Sequence, residues 1–500
     1  MKFKTILLAS LFTLKALILT AQNKVKTIIE NSQNKEELSR VLARFNKPED
    51  ALKYKAACFL IENMSAHNAY NFYWTDSLNQ KIEFDELAYS DLISSINAFD
   101  ALKTKHGKVH PTPTILNDLD NIKADFLIDN IEQAFKVWQP QQYDFKTFCE
   151  YILPYRVDVE PLQQWREKYN QKYTQIFDNQ SNTLQDKVKM IADENNKWFL
   201  CTYNIEVRNE PLPRLGAMQL LHRKKGNCGD VATLTSFSLR SIGLPSAVDI
   251  VPLWATSTGN HALNCTFNPQ GKAVHFDVLS MDSLKEFVRE PAKVFRTTFS
   301  MQENNLANQV QQEEIPNFGL LQSKTYLDVT HEYWQTRDLP CKIYPQKAYD
   351  KIIYACVLNG GKWKPAWWGK AKKDSVIFTN VCKGAVFLPQ IYENGKLIPV
   401  GYPTVSGYNK IVELKPETLT HSITIKEQER YLKFRVGKTY KLMYYDKGWK
   451  ALGEKTAEEN TKELIFDNVP KNALLLLAPN YGERKERPFV ITDEGERLWW

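Results

Sequence analysis

The sequence predicts a multidomain protein with an α-helical N-terminal region, an α+β core and C-terminal β-sandwich repeats. Three observations predict it. From Lys24 to about Tyr203 apolar residues recur three and four apart without sustained alternation, the period of packed helices. Between Cys228 and Leu279 one helical stretch is followed by short runs of β-branched and aromatic residues, the order of an α+β unit. Beyond Tyr354 the chain repeats itself at an interval of about 85 to 88 residues, the mark of tandem domains.

A length of 500 residues exceeds what one core supports, since single cores seldom grow past about 250 to 300 residues. The assigned layout is a signal segment at 1–21, a helical region at 22–185 and the core at 186–335, followed by sandwich modules at 336–425 and 426–500. The signal assignment rests on Lys2 and Lys4 ahead of an apolar run from Ile6, interrupted by Lys15, and on the small-residue exit Thr20-Ala21. It implies export, to the periplasm or the cell exterior. No cysteine follows that cut, so lipid modification there is not expected.

No membrane span is expected, because the later pure apolar run, Leu474 to Ala478, is too short to cross a bilayer and reads as a buried strand. The formal charge of +7 falls to about +4 without Lys2, Lys4 and Lys15, too small an excess to indicate nucleic acid or an anionic membrane. Eight cysteines are too sparse for a disulfide scaffold and leave room for one or two bridges. Neither C-x-x-C nor H-E-x-x-H occurs, so no metal and no cofactor is expected.

In the helical region, Ile115, Leu119, Ile122 and Phe126 lead into Leu127, Ile131 and Phe135 at helical spacing. The stretch His106 to Thr114 is a break between two helical parts. The aromatics Tyr70, Phe72, Tyr73, Trp74 and Trp165 are assigned to helical core.

In the core, 228–242 reads as one helix with Gly243 and Pro245 as its stop. Val231, Leu234, Ser238 and Ile242 share a stripe. Strands are expected at about 247–253, 261–267 and 273–279, the last two joined by the turn Asn268-Pro-Gln-Gly271.

In the repeats, Y-A-C-V-L-N-G-G-K-W (354–363) aligns with Y-K-L-M-Y-Y-D-K-G-W (440–449). Likewise I-F-T-N-V-C-K-G-A-V-F-L (377–388) aligns with I-F-D-N-V-P-K-N-A-L-L-L (465–476), and P-T-V (403–405) with P-F-V (488–490). Tandem strand-rich units of this size are most simply β-sandwich modules. Recurrence of Trp363 at Trp449 favours packing for that pair. The non-repeating Trp367-Trp368 is the better candidate for glycan contact, with Trp499 and Trp500 as further candidates.

Cys228 lies in R-K-K-G-N-C-G-D-V-A-T-L (223–234), at a predicted helix start, where unpaired N–H groups and the helix dipole favour a thiolate. Gly226 and Gly229 let backbone approach closely. His261 follows as candidate base and Asp277 as the group that orients it. His275 shares a strand face with Asp277 and is the competing base. Arg223 to Lys225 read as a solvated loop.

The stretch G-N-C-G-D-V-A-T-L-T-S-F-S-L-R-S-I-G-L-P resembles the core motif of the transglutaminase-like superfamily, in which G-x-C-x-D opens the catalytic helix and R-x-x-G-I-P closes it. N-H-A-L-N resembles the family's H-A-W segment, and V-H-F-D its strand ending in the catalytic Asp. The likeness covers about residues 186–285. It implies a papain-like α+β core with Cys228 as nucleophile, His261 as base and Asp277 as orienting acid. Leu263 departs from the usual aromatic, and His275 stands where the family often has Trp. L-P-Y-R (153–156), D-V-T-H-E-Y (328–333) and G-E-R-L-W-W (495–500) further resemble exported multidomain transglutaminase-like proteins of Bacteroidetes type.

The resulting expectation is an exported cysteine amidohydrolase, a peptidase or glycopeptide amidase working through a thioester, with a peptide, protein or glycopeptide as substrate. Two alternatives stay open: a protein-crosslinking acyltransferase with the same triad, and a non-catalytic surface protein that binds glycan or protein. A second oxyanion donor is sought at the Gln219 amide or the Trp198 indole, between which the sequence does not choose.

Overall fold

The structure is a computed structural model that describes residues 23–176, 183–208, 214–280, 287–344, 351–428, 432–480, 487–492 and 494–499. The signal segment 1–21 and Trp500 lie outside the described residues, as does the Trp499 side chain. The chain folds as two compact units. The first runs to Asp249 and adds Ala262–Leu284 and Thr297–Gln302; the second holds Ile250–His261, Lys285–Arg296 and Glu303–Trp500.

In the first unit, the helices Lys35–Arg44, Ala51–Asn63 and Ala124–Val137 pack together through Leu38, Val41, Leu60, Ile61, Leu127, Ile131 and Ala134, all inaccessible to solvent. Helices Arg166–Thr174 and Leu184–Trp198 pack on the helix Cys228–Ser241. Trp165, as expected, is core, 2% exposed against Phe237.

The region is not wholly helical. Strands β1 (Asn68–Thr75), β2 (Lys81–Ile82) and β3 (His110–Asn117) form a sheet in the order β2-β1-β3. Tyr70, Phe72, Tyr73 and Trp74 therefore sit on a strand, and Ile115 pairs opposite Tyr70 rather than opening a helix. Trp74 is buried against Phe99 and Phe84, while Tyr70 and Tyr73 stay partly exposed. A run of aromatics suits a pleated surface, and pairing along its whole length with β3 makes it a strand. Pro111 and Pro113 lack the N–H that a central strand needs, and β3 is an edge strand.

The L-P-Y-R motif is a polar anchor in this core. Arg156 forms a two-pronged ion pair with Asp118, at 2.7 and 2.8 Å, and Tyr155 donates its hydroxyl to the same carboxylate at 2.9 Å. Arg156 is 3% and Asp118 1% exposed, so the pair is desolvated and its remaining guanidinium donor is satisfied by the carbonyls of Asp158 and Glu160. Arg166 donates to the carbonyls of Ile152, Leu153 and Pro154, fixing the same segment. Arg223, expected in a solvated loop, is instead buried and paired with Glu86 at 2.7 Å. Lys224 takes a left-handed conformation (φ 54°) as the C-cap of the helix Ala217–Arg223.

In the second unit, D-V-T-H-E-Y grips the segment 293–296. Lys293, 0% exposed, donates to Asp328 at 2.6 Å and to the carbonyls of Thr379 and Asn380. The Thr330 hydroxyl accepts the Val294 N–H, and Glu332 pairs with Arg296 at 2.8 Å.

The sequence repeat becomes a repeat of topology. In the first module β11 (Thr336–Lys342) pairs with β14 (Ser375–Cys382). The other sheet runs β13 (Lys362–Lys370), β12 (Ile352–Asn359), β15 (Ala385–Glu393), β17 (Thr404–Ser406), β18 (Ile411–Glu413), with β16 (Lys396–Pro399) added beside β15. In the second, β19 (Thr420–Lys426) pairs with β22 (Glu463–Pro470), and the other sheet runs β21 (Trp449–Thr456), β20 (Thr439–Tyr445), β23 (Leu475–Pro479), β24 (Phe489–Ile491), β25 (Arg497–Trp499). All these pairings are antiparallel. Asn380 and Asn468, equivalent in the repeat, share a left-handed backbone at φ 54° and 57°. The apolar run at Leu474 to Ala478 lies largely in β23, buried as expected.

Trp363 and Trp449 meet Tyr445 edge to face at 5.9 and 5.4 Å in a cluster with Val386, Leu388 and Leu474, a packing role shared by both modules. Trp367 does not stand clear as a sugar platform: its ring covers the Lys293 ammonium at 4.0 Å and packs on Phe295. The described cysteines are all thiols, and no bridge forms between them. Among the described residues no helix is long and apolar enough to cross a membrane.

His67 supplies a test of the first unit. Its ring stacks on Phe299 at 4.2 Å and bonds that residue's carbonyl at 2.8 Å. Burial, reinforced by the Arg156 charge and opposed by Asp118, lowers its pKa to about 4. The unfolded chain therefore binds one more proton between pH 6.5 and about 4, and stability present above that window is lost as pH falls through it. His67→Gln should flatten the pH dependence of the unfolding free energy there by about 3 kcal/mol. Equal slopes for both proteins in urea titrations would refute this.

Candidate active site

Cys228 is the first residue of the helix Cys228–Ser241, and a reciprocal cap sets its start. The Asn227 side-chain oxygen accepts the N–H groups of Gly229 and Asp230 at 2.8 and 3.2 Å, and the Asp230 carboxylate accepts the Asn227 N–H at 2.8 Å. A cap of this kind satisfies donors that a helix start otherwise leaves unpaired, and it fixes the angle at which the chain enters. Cys228 is 6% exposed. The Asp230 carboxylate leaves no room beside Gly226, where an added Cβ would lie 2.4 Å from the Asp230 Cβ. Gly229 is less constrained, with 3.1 Å to the Asn227 oxygen.

The helix ends at Ser241, one residue before the expected end, with Gly243 left-handed at φ 80°. Arg240 donates to the Ser246 carbonyl and to that of Arg156, tying the helix end to the L-P-Y-R anchor.

Three expected strands follow as β6 (Ser246–Val251), β7 (His261–Phe267) and β8 (Ala273–Phe276). Asn264 of β7, fully buried, donates to the Ala232 carbonyl at 2.8 Å and the Ser236 hydroxyl at 3.0 Å, fastening β7 to the Cys228 helix. β7 pairs with β8 so that Asn264 faces Phe276 and Cys265 faces His275. Asp277, expected within a strand running to about 279, instead comes directly after β8, in a turn where its carboxylate accepts the Leu279 N–H at 2.9 Å. Asn196 of the helix Leu184–Trp198 donates to the Val278 carbonyl at 2.7 Å and holds that turn.

The first unit also brings in two residues with no sequence motif. A short parallel pairing of β4 (Leu200–Cys201) with β5 (Lys225–Gly226) sets Cys201 opposite Gly226, two residues before the nucleophile candidate. Tyr203 follows, and its hydroxyl hydrogen-bonds Cys228. The Tyr203 residue is 64% exposed, yet desolvation of its hydroxyl, the bond to Cys228 and the charges of Cys228, Cys201 and Asp277 push its pKa up. Burial, with the charges of Cys228, Asp230 and Asp277, pushes the Cys201 thiol up to about 11. Cys228 and Asp277 thus act on the same two neighbours.

His261, the first residue of β7, belongs to the second unit, where its ring stacks at 6.3 Å and 23° on Trp254. Of the two oxyanion candidates, Gln219 is buried and its side-chain oxygen accepts the Gly216 N–H at 2.7 Å as a helix cap. The Trp198 indole N–H is buried and has no hydrogen-bond partner among the described residues. Among those residues no cluster of His, Cys, Asp and Glu is arranged to hold a metal ion.

The family model described as the transglutaminase-like superfamily matches residues 171–278, the segment that contains Cys228, His261 and Asp277. No curated protein matches the chain by sequence. Among solved structures, a crystal structure of red sea bream transglutaminase is similar at 8% identity, covering 85% of this chain and 76% of that one, with a TM-score of 0.20.

The cap gives a direct test. Asn227→Ala removes the acceptor for two helix N–H groups and should lower stability by about 1 kcal/mol, read as a lower urea midpoint with unchanged slope. An unchanged midpoint would show that the cap is not stabilising.

Proposed function

This chain carries a domain of the transglutaminase-like superfamily, a family of cysteine-dependent acyltransferases and hydrolases, and on that premise we propose that it is an amide hydrolase acting through Cys228, His261 and Asp277. In this reading the Cys228 sulfur attacks the carbonyl carbon of a peptide or glycopeptide amide. His261 takes the thiol proton and returns it to the leaving amine, and Asp277 holds the imidazole in the productive tautomer. Water then attacks the thioester, His261 takes its proton, and the acid product leaves with the thiol restored.

The observation that carries the proposal is the placement of Cys228 at the first position of a capped helix. There the amide dipoles favour the thiolate, and the Tyr203 hydroxyl is a donor for it. His261 is preferred to His275 because His275 faces Cys265, whose side chain packs in an apolar cluster with Ala247 and Phe267. For the oxyanion, the Cys228 N–H and the Trp198 indole are the proposed donors: a buried indole N–H without a partner is costly unless a bound group satisfies it. Hydrolysis is preferred to amine transfer because Tyr203, next to the nucleophile, is largely exposed to water. Export by the segment 1–21 and glycan contact by the C-terminal modules remain parts of the same proposal.

On a peptide and glycopeptide panel, Cys228→Ala should abolish turnover and His261→Ala should lower kcat/KM by about 10²- to 10⁴-fold. Trp198→Phe should lower kcat by about 10²- to 10³-fold with little change in KM. Intact-mass detection of an acyl group on Cys228 names the donor. Full activity of Cys228→Ala would end the proposal, and predominant capture by an added alkylamine would replace hydrolysis with acyl transfer.

A further inference from the structure

The loop that leads into His261 is held by one side chain of the first sandwich module. Asn359, the last residue of β12, is 1% exposed and directs its amide nitrogen at three carbonyls: Trp254 at 3.1 Å, Ser257 at 3.0 Å and Gly259 at 3.0 Å. Its amide oxygen accepts the Lys364 ammonium at 3.1 Å, which orients the nitrogen toward the loop. Within the loop the Trp254 N–H reaches the Gly259 carbonyl at 3.3 Å, and Gly259 is left-handed at φ 85°. His261 follows two residues later, stacked on Trp254, whose ring is braced by Phe287 at 5.4 Å.

We propose that Asn359 is a positioning residue for His261, so that the first sandwich module is a working part of the catalytic apparatus. This rests on the reading of His261 as the base.

Two observations separate this role from ordinary sandwich packing. The repeat supplies an internal control: aligning Tyr354 with Tyr440 puts Tyr445 at the position of Asn359, and the second module forms the same strand order with a tyrosine there. The sandwich therefore does not require asparagine at the end of that strand. Secondly, the amide's bonds to the loop all end on backbone carbonyls, so they constrain the path of the chain whatever the loop side chains are. Two N–H groups shared among three carbonyls draw Trp254, Ser257 and Gly259 to one point, and this sets where β7 begins. An asparagine without these bonds would leave a buried amide unsatisfied, a cost that leucine of similar size does not carry.

The test uses iodoacetamide on the full-length protein, with the alkylation rate of Cys228 measured against pH by peptide mass spectrometry. Wild type should show a thiolate formed well below the ordinary cysteine pKa, and His261→Ala should lose it. Asn359→Leu should move the midpoint up toward about 8.5 and slow alkylation at pH 7 by about tenfold or more, while Asn359→Gln restores part of the rate. Thermal melts check that each variant is folded. If Asn359→Leu does not fold, Asn359→Asp, which keeps the shape and loses the donors, takes its place. A folded Asn359 variant with the wild-type profile, in a protein where His261→Ala abolishes activation, would overturn the role of Asn359 alone. A wild-type profile equal to that of His261→Ala would overturn the triad, and this inference with it.

Discussion

The start of the helix Cys228–Ser241 is the constraint on which the placement of Cys228 depends. Asn227 and Asp230 close the cap, Gly226 makes room for the Asp230 carboxylate, and together they leave Cys228 at the positive end of the dipole. The rest of the helix is buried almost throughout, including Thr235, Ser236 and Ser238, so it cannot shift without exposing core. Its far end is locked by Arg240 to the Arg156 backbone, and Arg156 is itself fixed by a desolvated pair with Asp118. The position of one sulfur is thus set by a chain of charge-assisted bonds that begins more than one hundred residues earlier in sequence.

A second set of constraints surrounds His261. Polar bonds to backbone, from Asn359 and from the Trp254 N–H, define the loop, and aromatic stacking on Trp254 limits the ring. The sandwich modules show the opposite economy. Their cores repeat, with Phe378 and Phe466 buried at equivalent positions, while the residues that differ between copies, such as Asn359 and Tyr445, carry what is particular to each. Tyr445 is used for packing between Trp363 and Trp449.

Much was legible from short-range pattern. The helix from Cys228 is readable from the stripe of Val231, Leu234, Ser238 and Ile242, and its stop at Gly243 follows from the tolerance of glycine for positive φ, whereas the cap of Asn227 and Asp230 emerges only in the structure. The strands β7 and β8 and the turn at Asn268–Gly271 follow from composition. Other features were misread for identifiable reasons. The aromatics of β1 have the hydrophobicity of a helix core, and only their pairing with the proline-bearing β3 makes them a strand. Trp367 looked available because no repeat claimed it, but the buried Lys293 ammonium needs a covering face and Trp367 supplies it. Arg223 looked solvated because its partner, Glu86, lies far away in sequence.

The sequence by itself determined the superfamily likeness, the helix start that carries Cys228, the strand that begins at His261, the strand that begins at Ala273, and the duplication of the sandwich. These are properties of local propensity and of residue spacing, which the chain carries whatever surrounds it. Only the tertiary structure decided that Cys201 and Tyr203 neighbour the sulfur, that Gln219 is used as a cap while the Trp198 N–H is not, and that Asn359 holds the loop before His261. Each of those facts depends on a pairing between distant segments. A hydrogen bond or ring contact across such a distance leaves no periodic trace in the residues that make it.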